Sequence, residues 1–189
     1  MQFDMITPLI ERFNNLIDSL IKDFEEYNLD GETIIFLAKK TKNFINFTEL
    51  ALLTVIFKIL EKMSDVTYQF DEEIKEANQM IDKIFEELNK SVEKILEQDN
   101  EEEHDHHHHG HGHHHHEHHD IDVDILQEPV EKIKEYLDFL KKLMGNIGDM
   151  VIKVLKYQNK EITEEEFKGE YNSFKENMKK FKEEFESKI

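Results

Sequence analysis

The sequence predicts an all-α fold: an elongated antiparallel bundle of coiled-coil-like helices, with a disordered histidine-rich loop between two of them. Three observations carry this prediction. Apolar residues recur at steps of three and four along most of the chain, the spacing of one helix face. Two prolines and six glycines in 189 residues provide too few turns for an all-β protein. Charged residues make up 35% and apolar residues 38%, a balance that suits helices burying one stripe and solvating the rest.

The first helix is expected over 8–28. Thr7 is placed as N-cap and Pro8 at the first helical position, where a missing N–H costs nothing. Its stripe is Leu9, Ile10, Phe13, Leu16, Ile17, Leu20, Ile21, Phe24 and Tyr27, and Asp30-Gly31 makes the following turn. A second helix over 32–46 uses Ile34, Leu37, Ala38, Thr41, Phe44 and Ile45. Thr48 then reads as a new N-cap, with Phe47 and Leu52 spaced for a hydrophobic staple. From Leu52 through Ile56, Ile59, Met63, Val66, Phe70, Ile74, Ala77, Ile81, Ile84, Leu88 and Val92 to Ile95 the stripe runs almost unbroken. It predicts a long helix over 49–98 with a local stutter near Phe70; Ser64-Asp65 is the place where it could divide into two.

After an acidic segment, Pro129 marks another start, and a helix is expected over 128–158 on Val130, Ile133, Leu137, Leu140, Met144, Ile147, Val151, Val154 and Gln158. Gly145 and Gly148 allow a close crossing or a kink there. Asn159-Lys160 is a turn. Thr163 with Glu166 forms a capping box opening a last helix over 163–187, whose stripe is Phe167, Tyr171, Phe174, Met178, Phe181 and Phe185. Aromatic spacing of this kind is core packing. The chain thus divides into N-terminal helices over 1–98, a loop over 99–124 and C-terminal helices over 125–189 completing the same bundle. The long helices flanking the loop are expected to form an antiparallel hairpin with the loop at its tip.

All twelve histidines fall in one window, His104 to His119, reading HDHHHHGHGHHHHEHH. The ligand candidates are His104, His106, His107, His108, His109, His111, His113, His114, His115, His116, His118 and His119, with Asp105, Glu117 and Asp120. Glu101, Glu102, Glu103, Asp122 and Asp124 add carboxylates, and no Lys or Arg occurs between Asp99 and Asp124. Imidazole is the commonest protein ligand of transition metals, and a negative field around it attracts Ni²⁺, Zn²⁺, Cu²⁺ and Co²⁺. Neighbouring histidines chelate in extended chain; pairs such as His104/His108, His111/His115 and His114/His118 chelate across a helical turn. Without apolar residues the segment cannot drive its own folding and is expected to be disordered without metal. In composition it resembles the histidine-rich stretches of nickel-delivery proteins and of zinc transporters or their binding proteins. That resemblance spans about twenty residues and carries no fold. The phosphate-binding loop of nickel-insertion GTPases has no counterpart in the chain.

Other classes are excluded. The absence of cysteine removes disulfides, thiolate sites and cysteine nucleophiles. A net charge of −19 opposes nucleic acid and anionic membranes. The most apolar stretch, Leu50 to Leu60, is too short to span a bilayer, and the N-terminus lacks a basic region before an apolar run; a cytoplasmic location is expected. Outside the window no histidine exists for acid–base or triad chemistry, and no enzyme activity is expected. The Glu/Lys faces, such as Lys175 to Lys188, read as solvated and paired at i, i+4.

The leading expectation is transition-metal binding, with Ni²⁺ or Zn²⁺ foremost, for buffering, storage or delivery. Its partners would be the ions and a metal-accepting or other protein; homo-oligomers are compatible with the regular stripes. The competing expectation is a helical scaffold whose loop is incidental or regulatory, responsive to metal or pH. Protonating twelve histidines among nine carboxylates from Asp99 to Asp124 would swing that segment from −9 to +3. A neutral low-complexity expansion and an expression tag are the bland alternatives; an internal position and interleaved Asp, Glu and Gly argue against the tag.

Overall fold

A computed structural model of the chain describes residues 3–26, 30–64, 70–109 and 122–188; within them, side chains at 3–5, 26, 49–64 and 100–109 are left aside. The protein is all-α. Its helices are α1 (Phe3–Glu26), α2 (Gly31–Ser64), α3 (Asp71–His109), α4 (Val123–Gln158) and α5 (Glu164–Lys188), and no strand occurs among the described residues.

Two helices begin earlier than their prolines suggest. α1 starts at Phe3 and contains Pro8; α4 starts at Val123 and contains Pro129. Thr7 therefore does not cap α1, and Pro129 does not mark the start of α4. A mid-helix proline costs about 3 kcal/mol, while fully burying a leucine or isoleucine contributes about 1.5–3 kcal/mol. Ile6, seven residues ahead of Phe13 on the same stripe, is buried, as are Leu126 and Val130. Extending each helix past its proline secures that burial. Asp122 caps α4: its Oδ1 accepts from the Asp124 N–H at 3.0 Å, and its carbonyl from Ile125 N at 3.2 Å. The α1 stripe is narrower than expected, since Leu9 and Leu16 are exposed.

α2 runs unbroken through the expected boundary at 46–49. No proline or glycine stops it there. Ile34, Leu37, Ala38, Thr41, Phe44, Ile45 and Thr48 are all buried, so Thr48 continues the stripe. A cap is worth about 1 kcal/mol, less than the packing of that row. The staple fails with it, because Phe47 is exposed at 66%. Thr41, buried among apolar neighbours, donates its hydroxyl to the Leu37 carbonyl at 2.8 Å, which satisfies it within its own helix.

The long helix expected over 49–98 is two helices, α2 ending at Ser64 and α3 starting at Asp71. The stutter near Phe70 marks the junction. Phe70 is buried edge-on against Tyr171 (5.2 Å between ring centroids) and Phe174 (6.1 Å). Asp71, Glu72 and Glu73 follow in the first turn, where the helix dipole favours negative charge.

The chain forms two compact units: Met1–Leu16, Thr48–Lys83 and Phe139–Ile189 make the first, Ile17–Phe47 and Ile84–Asp138 the second. Their boundaries fall inside α1 to α4 rather than between helices. In the first unit, Phe139 meets Phe181 and Phe185 edge-on at 5.6 and 5.4 Å, and Tyr157 stacks on Phe167 at 4.6 Å. α4 is buried on more than its expected stripe: Tyr136, Phe139, Leu143, Met150 and Leu155 form a second face, while Gln158 at its end is exposed.

The turn and last cap are as the sequence indicates. Lys160 takes φ 61°, and the N–H of Glu161 reaches the Lys156 carbonyl (2.9 Å) while Lys160 N reaches Tyr157 O (3.0 Å). These bonds are a Schellman closure of α4. Thr163 Oγ1 accepts from Glu166 N at 3.1 Å, and the Glu166 carboxylate reaches back to Thr163 N at 3.5 Å. On α5, Lys182 and Lys175 reach across to α3: Lys182–Glu76 is 3.3 Å and Lys175–Glu73 is 3.7 Å.

Candidate functional site

The histidine window opens on the last turns of α3 and closes before α4 begins, and both helices have buried residues beside it in the second unit. Among the described side chains, Ile95 and Leu96 are the last buried residues of α3 before it, and Leu126 and Pro129 the first of α4 after it. Asp99, just before the window, accepts an ion pair from Lys39 of α2 at 3.1 Å. A second strap, Lys42–Glu93 at 2.7 Å, joins the same helices one to two turns earlier. Sequence reasoning missed both, because they link residues 60 and 51 positions apart with no local pattern to announce them.

α3 continues through His109 rather than ending at Gln98, so the segment expected as loop over 99–124 is divided. His104, Asp105, His106, His107, His108 and His109 lie on the helical backbone of α3. There, positions 104 and 108, and 105 and 109, are one turn apart. Asp122 is the cap of α4, and Asp124 lies in its first turn. His111, His113, His114, His115, His116, Glu117, His118, His119 and Asp120 lie outside the described residues.

The electrostatics of this helix end are unusual. The C-terminus of a helix carries partial negative charge and favours cations. The last turns of α3 instead carry Glu101, Glu102, Glu103 and Asp105, and no Lys or Arg occurs from Ile95 to Glu131. A bound cation or a protonated imidazole relieves both the dipole and the carboxylate repulsion.

Elsewhere, no group of three or more His, Cys, Asp or Glu suited to a metal ion occurs among the described residues. A cleft between the start of α3 and α5 is lined by Glu72, Glu73, Glu76, Lys175, Lys179 and Lys182 among others, where the lysines partly neutralise the acids. Tyr136 has its pKa raised by burial and then by Glu87 and Glu135; Asp149 has its pKa raised by partial desolvation and then by Glu170, against Lys153. No helix is long and apolar enough to cross a membrane among the described residues.

No family model, curated protein or solved structure matches the chain.

Proposed function

We propose that the protein binds divalent transition-metal ions, Ni²⁺ or Zn²⁺ foremost, through His104 to His119, as a cytoplasmic buffer, store or delivery module without enzymatic activity. The observation that carries this reading is the confinement of all twelve histidines to sixteen residues flanked by carboxylates. The donors are nitrogen and oxygen only, in a field free of competing Lys and Arg. Many ligand combinations are close in energy, so selectivity follows the general affinity order rather than one cage, and Cu²⁺ and Co²⁺ also bind. Capture and release need no second catalytic residue. A metal-accepting protein is the natural partner of such a module.

Deleting residues 104–119 tests the physiological role. The expected outcome is a chain that keeps its helical signal by circular dichroism and a source cell more sensitive to metal excess or starvation. An unchanged metal phenotype sinks the reading. It would favour the second one, a helical interaction protein whose histidine segment is incidental or regulatory. One observation supports that alternative: Phe36 and Phe47 of α2 are 63% and 66% exposed.

A further inference from the structure

We propose that α2 docks antiparallel against α2 of a second copy of this chain, along the stripe Phe36, Lys40, Asn43 and Phe47. These four residues lie on the face of α2 opposite its buried row of Ile34, Leu37, Ala38, Thr41, Phe44, Ile45 and Thr48. All four are exposed, the two phenylalanines at 63% and 66%. Two exposed phenylalanines three turns apart on one helix face offer apolar area that a partner helix laid along that face would cover at both points.

The spacing chooses the occupant. Steps of four, three and four read the same in both directions, so a two-fold axis between positions 41 and 42 is self-complementary. Phe36 then faces the partner's Phe47, and Lys40 faces the partner's Asn43, whose amide oxygen can accept from the ammonium. A parallel pairing would set Lys40 against the partner's Lys40.

Charge points to the same occupant. The chain carries 43 Asp and Glu and a net charge of −19, so two copies repel over most of their surface. Between Glu32 and Glu49 there is no acidic residue at all. The three lysines of that stretch are already met within the chain: Lys39 by Asp99 (3.1 Å), Lys40 by Asp23 (3.2 Å) and Lys42 by Glu93 (2.7 Å). The stripe therefore sets two phenylalanines around a paired lysine and an asparagine, which admits a second copy and gives an acidic peptide little unpaired charge to seek. With only two aromatic anchors per copy the interface is small, and the dimer is weak and reversible.

Sedimentation velocity of the full chain over a concentration series tests this, with chelator present so that histidine segments cannot bridge copies. The expected result is a reversible monomer–dimer equilibrium. Phe36→Glu or Phe47→Glu should weaken it by at least about tenfold, because each substitution counts twice across a two-fold axis. Both sites are exposed, and circular dichroism checks that the variants fold. The chain has no cysteine, so crosslinking reads the geometry cleanly. Phe36→Cys mixed with Phe47→Cys should form a disulfide between unlike chains. Phe36→Cys alone should not, since like positions stand about 16 Å apart along the antiparallel pair and a disulfide needs Cα atoms within about 7 Å. A chain monomeric up to its solubility limit overturns the proposal and leaves the face to another partner. A dimer indifferent to both glutamates also overturns it, as does self-crosslinking of Phe36→Cys as fast as the mixed pair.

Discussion

Lys39 of α2 holds Asp99 of α3 at 3.1 Å, the last described side-chain contact before the histidine window. Beyond it, α3 runs on to His109 with acidic residues and no Lys or Arg. This end of the helix therefore lacks the positive charge that its dipole favours, and under the proposed function bound metal would supply it. Bound Ni²⁺ or Zn²⁺ at neutral pH should slow amide hydrogen exchange across residues 104–109 by at least severalfold. A charge well placed at a helix C-terminus is worth about 0.3–1 kcal/mol, and chelation across one turn adds to it. Exchange unchanged in the metal-saturated protein would show that ions bind without engaging α3.

The two glycines of α4 should respond in opposite directions. A Cβ at Gly145 meets nothing within 4 Å, whereas one at Gly148 collides with Ile10 Cδ1 and comes within 3.1 Å of Ile10 Cγ1. Gly145→Ala should stabilise by about 0.5–1 kcal/mol through helix propensity. Gly148→Ala should destabilise by less than about 2 kcal/mol, because the end of the half-buried Ile10 side chain can turn aside in part and the propensity gain offsets some of the overpacking. Adding Ile10→Val, which removes the colliding methyl, should recover part of that loss. Urea midpoints of the three variants decide it; equal effects of the two alanines would show that Ile10 does not pack on Gly148.

At the α4–α5 turn, Lys160 pays the steric cost of a left-handed conformation that glycine adopts freely. Lys160→Gly should raise stability by about 1 kcal/mol. Three residues on, Thr163→Ala should lower it by about 1 kcal/mol by removing the cap oxygen. Thermal or denaturant unfolding measures both, and a destabilising Lys160→Gly would contradict the Schellman closure.

Asp149 sets a pH dependence. Partial desolvation of this exposed side chain, and Glu170 after it, raise its pKa above the ordinary 3.8, with Lys153 opposing. Between 3.8 and the raised value the folded chain holds the proton more tightly than the unfolded one. Its contribution to stability is therefore present at low pH and lost as pH rises through that window. Asp149→Asn removes the charged form, so the variant should gain on the parent protein as pH rises from about 3.5 to 7. Urea midpoints at the two pH values test the sign; a gain confined to the acidic end would reverse it.

The sequence reveals the helices through their periodicity, but it misplaces several of their ends. The capping box at Thr163 and Glu166 and the turn at Lys160 were legible because all their partners lie within a few residues. Pro8, Pro129 and Thr48 misled because each is a local stop or start signal worth at most about 3 kcal/mol. The burial of Ile6, Leu126 and the α2 row outweighs them. At the candidate site, the donor set was readable directly from composition. The straps Lys39–Asp99 and Lys42–Glu93 were not, since tertiary packing alone brings those residues together.

The most direct measurement is to count ions. Native mass spectrometry and titration calorimetry with Ni²⁺ and Zn²⁺ should compare the intact chain with a form lacking residues 104–119. Twelve imidazoles and the neighbouring carboxylates, at three to four ligands per ion, should hold on the order of three or four ions. Binding should weaken as pH falls below about 6.5, where protons compete for imidazole, and the multi-ion signal should vanish in the deletion. An intact chain that binds no more ions than the deletion, at neutral pH, would contradict metal binding by the histidine segment.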